Sequence, residues 1–197
     1  DLSSNGITGT FANSPTWTTG VFGNGINFGI DSTQRVALTA VTAANSLSQI
    51  TVQTWIKTND TSIDNSIVSK YNSATSPISW ILATNQNSYG AGIVSFYNGA
   101  PSASWANGKT PIHDGRWHFI TVTNDGSTTR FYIDGALDNS VAHAAVGNNT
   151  EPVYIGGNPY WASSIGGVID EVKIFNYART QAEIEAEYRR GVSRTHE

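Results

Sequence analysis

Two strand-like runs held between tight turns, from Asp114 to Gly135 (DGRWHFITVTNDGSTTRFYIDG), constrain the fold more than any other stretch of the chain. From Trp117, alternate positions carry Trp117, Phe119, Thr121 and Thr123 on one side and His118, Ile120, Val122 and Asn124 on the other. That is the two-residue period of a pleated strand, and both of its faces hold apolar residues. Asn124-Asp125-Gly126-Ser127 supplies residues that tolerate positive φ, Thr129 to Ile133 resumes the alternation, and Asp134-Gly135 turns the chain again. The stretch predicts an antiparallel meander.

The rest of the sequence repeats this grammar. Short strands are expected at Ile26 to Phe28, Arg35 to Leu38, Ile50 to Lys57, Ile67 to Tyr71, Ser79 to Thr84 and Ile93 to Tyr97, then at Ala136 to Val141, Val153 to Ile155 and Gly167 to Phe175. Clusters of Asn, Ser, Gly and Pro bound them, so a sandwich or barrel is the expected class. Trp55, Phe119, Ile133 and Ile174 are read as core. The first residues, through Trp17, are rich in turn formers and read as a wrapped loop. One helix is expected near the end. Thr180 and Glu183 fit a capping box and Gly191 is read as its C′ residue. So short a helix needs support, and Ile184 and Tyr188 are expected to pack on the sandwich edge.

Residues 1–197 read as a single domain without repeat or linker, long enough to bury a core. Ser, Thr and Asn number 21, 22 and 18, while charged residues are only 13%, a loop-rich, β-rich balance. With 11 basic against 15 acidic residues and no basic cluster larger than Arg189-Arg190, nucleic acid is not an expected partner. No apolar run is long enough to insert into a membrane. The absence of Cys removes disulfides and thiol chemistry. With no Met either, the chain is expected to be a piece of a longer extracellular protein, secreted or at the cell surface, with further domains as possible partners.

Three blocks carry a family resemblance. They are Asp114 to Gly135; Ile165 to Tyr177 with Ala178-Arg179-Thr180; and the opening Asp1 to Gly6 with Gly20 to Phe28. In that combination and order the chain resembles the laminin-G-like, concanavalin A-like lectin/glucanase domains. The resemblance implies an all-β fold, an antiparallel two-sheet jelly-roll sandwich with a short C-terminal helix. It also implies a structural Ca²⁺ joining the N-terminal loop to the last strand. Asp1, Ser3 and Asn5 are a close run of oxygen donors, Asn24-Gly25 offers an amide and carbonyls, and Asp170 is a carboxylate on a strand that needs a partner. The other reading is that Asp1 and Asn5 cap turns and Asp170 pairs with Arg or backbone amides.

No catalytic residues are assigned. Glycoside hydrolysis needs two carboxylates about 5 Å apart on one surface, and no Glu-x-Asp-x-x-Glu run is present. Asp170 and Glu171 are adjacent, so a regular strand would send them to opposite faces. His118, beside Trp117, is read as structural, and no Gly-x-Ser-x-Gly elbow supports a nucleophile.

Glycan binding needs aromatic rings for the C–H faces of sugars and amides or carboxylates for their hydroxyls. Asn158, Tyr160 and Trp161, in the loop from Gly156 to Ser164, have that composition, and Trp105 is a second candidate. Trp161 could equally fold back as a plug of the core, and the sheet face expected to carry both Trp80 and Tyr97 is the fallback site. The function read from the sequence is a non-catalytic, lectin-like module binding a polysaccharide or glycan. A protein-binding or spacer module of an adhesin is the alternative, and a glycoside hydrolase or polysaccharide lyase the third reading.

Overall fold

The computed structural model describes residues 5–30, 33–39, 41–62, 64–71, 79–85, 90–99, 103–160 and 163–193. In chain order its strands are β1 Gly9–Ala12, β2 Thr16–Thr19, β3 Asn24–Phe28, β4 Arg35–Leu38, β5 Ile50–Thr58, β6 Asn65–Lys70, β7 Trp80–Thr84 and β8 Ile93–Tyr97. They continue as β9 Trp105–Pro111, β10 Trp117–Asn124, β11 Thr128–Ile133, β12 Ala136–Ala142, β13 Val153–Ile155, β14 Gly157–Asn158, β15 Ser163–Ser164 and β16 Gly167–Phe175, before the helix α1 Gln181–Val192. Two antiparallel sheets result, ordered β1-β4-β13-β6-β7-β8-β9 and β12-β11-β10-β5-β16-β3-β2, with β14 and β15 as a separate small hairpin. This is the expected jelly-roll sandwich with its short helix.

Alternation explains the interior. Ile50, Val52 and Ile56 of β5 and Ile120 and Val122 of β10 face Ile67, Trp80, Leu82, Val94 and Phe96 of the opposite sheet, all buried. Each such side chain contributes roughly 1.5–3 kcal/mol by leaving water. Ile133 belongs to this core and Ile174 packs partly buried against it, but Trp55 and Phe119 do not. They point outward from their sheet and form a second cluster with Val21, Tyr132 and Ile184. The helix therefore lies on the outer face of this sheet, not on the sandwich edge, with Tyr188 stacked 5.7 Å from Trp55.

The helix also runs through Gly191 to Val192, so Gly191 is not a left-handed C′ residue. It is glycine because the helix backbone presses on the indole, and a Cβ there would lie 2.2 Å from Trp55 Cζ2. The N-terminus matches the expected capping box, Thr180 accepting from the Glu183 amide and Glu183 from that of Thr180.

The N-terminal stretch is strand as well as loop. β1 and β2 are edge strands of opposite sheets, joined across Asn13 and Ser14 at φ of 59° and 60°. Between them Phe11 and Trp17 meet with ring centroids 5.4 Å apart, leaving Trp17 63% exposed. The far edge closes differently. There the Asp138 carboxylate of β12 accepts from the amides of Lys109 and Thr110 on β9 at 2.7 and 3.1 Å, and the Asn139 carboxamide donates to Asn107 O at 2.8 Å.

The signature hairpin is locked at both turns. Asp125 accepts from the Ser127 and Thr128 amides and pairs with Arg130, which holds its carboxyl far below the usual carboxylate range. Asp134, at φ 52°, accepts from the Phe119 amide with one oxygen and meets His118 Nδ1 at 2.8 Å with the other.

Candidate functional site

Register places one row of side chains across the outer face of the first sheet. Ser69 of β6 pairs with Ile81 of β7, Ile81 with Tyr97 of β8, and Tyr97 with Trp105 of β9. Three strand spacings of about 4.8 Å make this row roughly 14 Å long. Tyr71, Ile81 and Ala83 form its floor, and half-buried Tyr97 and Trp105, 5.1 Å apart at 45°, pack against them. Trp105 is thus the first residue of an edge strand and not a loop residue. Trp80 lies on the opposite face. It pairs with Lys70 and is wholly buried in the sandwich, because Ile81, one residue on, is the partner of Tyr97.

The β14–β15 hairpin brings a further ring to this row. Asn158 is buried, donating to Tyr71 O at 3.1 Å and Ser69 Oγ at 3.3 Å while its Oδ1 accepts from the Tyr160 amide at 2.9 Å. It works as a staple that aims Tyr160 and offers little to a ligand directly. Tyr160 meets Tyr71 edge-on at 5.3 Å and stays 44% exposed. Trp161 lies outside the described residues.

Burial raises the pKa of Tyr71, and the nearby Tyr160 and Tyr97 phenols push it further in the same direction; Tyr97 is raised by burial alone. These phenols stay neutral near pH 7 and keep their donor protons. One pair further along the same strands, Ser95 donates to Asn107 Oδ1 at 2.7 Å and so fixes a carboxamide on this face. The arrangement can present flat apolar rings beside hydroxyl and amide groups. Of the expected residues, Trp105, Asn158 and Tyr160 come together here. Tyr71 and Tyr97 complete the row; Tyr97 lies on the face expected as the fallback site, though without Trp80, and Tyr71 is marked in sequence only by lying just past a strand end.

Of the expected calcium ligands, Asn5, Asn24, Gly25 and Asp170 lie among the described residues. Asp170 is buried, and burial raises its pKa against the opposing pull of backbone amides. Its Oδ2 accepts from the Phe22 amide at 2.9 Å and its Oδ1 from that of Glu171 at 2.8 Å. Gly20 packs closely on this carboxylate and on the Gly25 backbone, since a Cβ on Gly20 would meet Asp170 Oδ2 at 2.5 Å and Gly25 N at 2.6 Å. The loop thus delivers N–H donors where a cation needs oxygens. Asn5 and Asn24 are exposed, Asp1 and Ser3 lie outside the described residues, and among the described residues no three acidic or histidine side chains are arranged to hold a metal ion. The described members of the set do not by themselves form a calcium cage.

His118 and His143 are engaged in the framework. His118 sits between Asp134 at 2.8 Å and Asp114 at 3.1 Å, and the hydrogen bond it donates to Asp134 leads the causes that raise its pKa. His143, pushed down by burial, meets Thr129 Oγ1 and Ser104 O. Asp170 and Glu171 flank a bulge in which Glu171 has φ 52° and bonds Lys173 at 2.8 Å.

The profile of Laminin_G_3, described as the concanavalin A-like lectin/glucanases superfamily, matches residues 28–185. No curated protein matches the sequence. Among solved structures, the binding domain of Paraclostridial Mosquitocidal Protein 1 superposes with a TM-score of 0.73 at 16% identity, over 95% of this chain and 48% of that one. Domain 4 of AbnA, a GH43 extracellular arabinanase from Geobacillus stearothermophilus, in complex with arabinotriose, gives 0.69 at 18% identity over 90% and 86%. A botulinum neurotoxin type C structure, whose cell entry is described as dependent on two ganglioside molecules, gives 0.72 at 14% identity over 97% and 48%. The chain spans about half the length of the toxin chains it resembles.

Proposed function

Because the chain belongs to the concanavalin A-like lectin/glucanases superfamily, we propose that it is a non-catalytic, lectin-like glycan-binding module of a secreted or cell-surface protein. The observation that carries this reading is the half-open aromatic row formed by Tyr97, Trp105 and Tyr160 over Tyr71. Rings stack on the C–H faces of sugars, while the tyrosine hydroxyls and the partly exposed Asn107 carboxamide on the same face suit sugar hydroxyls. A row of roughly 14 Å matches an oligosaccharide lying across the strands rather than a single sugar. The arabinotriose complex of the arabinanase domain and the ganglioside dependence of the neurotoxin support the ligand class.

A glycan array followed by calorimetry on the best ligand tests the assignment. Trp105→Ala and Tyr160→Ala are expected to remove binding from a folded domain, and retention of native affinity in the double variant would displace the site. Release of reducing ends from that ligand by the purified domain would overturn the non-catalytic part.

The second reading, a protein-binding or spacer module of an adhesin, is favoured by the exposed Phe11–Trp17 pair on the opposite side of the sandwich. A structural Ca²⁺ drawing on Asp1, Ser3, Asn5, Asn24, Gly25 and Asp170 stays within the proposal as a means of fixing the N-terminal segment. Its measurement is the melting temperature in millimolar Ca²⁺ against excess EGTA, where equal values would remove the ion.

A further inference from the structure

A concavity of about 350 Å³ opens at the end of the other sheet, away from the aromatic row, between Asn27, Ile30, Lys57, Asn59, Gly115 and Gly166. Its size falls within the range of small-ligand sites. It exists because glycines wall it: a Cβ on Gly166 would lie 2.6 Å from Ile30 Cγ1, and one on Gly167, alongside, 2.5 Å from Lys57 O. Strand register sets Asn27, Val168 and Lys57 side by side on the outer face.

Among the described residues the charges around it do not balance locally. Asp60 is spent on the Ser62 and Gly166 amides, at 2.8 Å each, and Asp114 on His118 and Arg116. Lys57 has no carboxylate partner, and the carboxamides of Asn27 and Asn59 make no hydrogen bond, among the described residues. The backbone amides of the glycine wall are already used, that of Gly115 by Thr58 O and that of Gly166 by Asp60. What the cleft offers a ligand is therefore one ammonium, two amides able to donate and accept, and the apolar side chain of Ile30, which is 80% exposed.

We infer that this cleft is a second ligand site, selective for a saccharide that bears a carboxylate. The lysine takes the carboxylate, the two carboxamides take ring hydroxyls, and Ile30 covers a C–H or methyl face. A neutral sugar would leave the ammonium without its partner, so this site and the aromatic row select different ligands.

Titration of the ¹⁵N-labelled domain with trigalacturonate and with sialyllactose tests this, with lactose as the neutral control and sodium sulfate as the plain anion. Either acidic sugar is expected to shift amides at residues 27–30, 57–59, 115 and 166–168. Lactose should act about tenfold more weakly there, the scale of one charge-assisted hydrogen bond. Trigalacturonate and sialyllactose distinguish a uronate from a sialate as the source of the carboxylate. Lys57→Gln, an exposed change, should abolish the shifts with the dispersed spectrum intact, and Trp105→Ala should leave them in place, which separates this site from the aromatic row. Equal response to lactose, shifts centred on Tyr97, Trp105 and Tyr160, or an unchanged Lys57→Gln titration would overturn the inference. So would sulfate displacing the sugar at equal concentration, which would reduce the cleft to an anion site.

Discussion

Both sheets carry large aromatics on their outer faces, and the chain treats the two faces in opposite ways. On the sheet built around β5 and β10, Trp55, Phe119 and Tyr132 are buried under Ile184 and Tyr188 of the helix, with Gly191 brought against the indole. On the other sheet no helix among the described residues lies over Tyr97 and Trp105, which stay half-exposed, and Tyr160 stands nearly half in water. The covered face shows what a ring on this scaffold needs to become core: a local partner shaped to it. Rings left without one are available to something outside the chain.

Trp55→Ala should produce the largest effect, a loss of roughly 3–5 kcal/mol read by urea unfolding, because it empties a site the helix cannot refill. A loss below about 1 kcal/mol would mean the helix is only loosely seated and the contrast between the faces is false. Gly191→Ala should follow, at roughly 1–3 kcal/mol from overpacking against Trp55, with glycan binding retained in the folded fraction.

Trp105→Ala reverses the pattern. It should cost only about 1–2 kcal/mol, since the ring is half-exposed already, yet abolish retention of the glycan in calorimetry. A stability loss as large as that of Trp55→Ala would make the two faces equivalent.

The smallest effect is a pH dependence under the covered face, where Asp134 holds both the Phe119 amide and His118, and the adjoining Gly135 packs on Tyr188. The folded pKa of His118 is raised, so its stabilisation is fully present below the unfolded value of about 6.5 and is lost as pH rises through the folded value. Buried His143 has the opposite sign and loses its contribution as pH falls. Melting temperatures from about pH 6 to 8.5 should therefore decline more in the native chain than in His118→Gln, the difference isolating the one histidine. Parallel curves would show that the clamp contributes nothing through its charge.

The hairpin from Trp117 to Ile133 and the Thr180 cap were legible because each rests on local chemistry: a two-residue period, turn residues, a hydroxyl three residues before a carboxylate. β1, β2 and β9 were not. As edge strands they are half-wetted, and the Asn-Ser-Pro near Trp17 and the Asn-Gly-Lys within Trp105–Pro111 imitate loops. The face assignments of Trp80 and Gly191 depended on contacts distant in sequence. Nothing near Trp80 says that Ile81, one residue later, is the partner of Tyr97, and nothing near Gly191 announces an indole contributed by β5. The aromatic row was half visible for the same reason. Tyr160 and Trp105 stood out by composition and Tyr97 as part of a separate fallback face, whereas Tyr71, and the meeting of all four, came only through strand register.

The unequal closure of the two sandwich edges governs how copies of this domain can meet. Between β9 and β12 the exposed amides are already taken by Asp138, and Asn139 occupies a carbonyl, so that side offers a poor template to an incoming strand. On the β1–β2 side, from which Trp17 projects, no such side-chain closure of the strand backbones occurs among the described residues. Fibre growth by strand addition needs two competent edges per molecule, one to receive and one to extend. A sandwich with one side closed by its own side chains is short of one such edge, which works against fibres grown by strand addition.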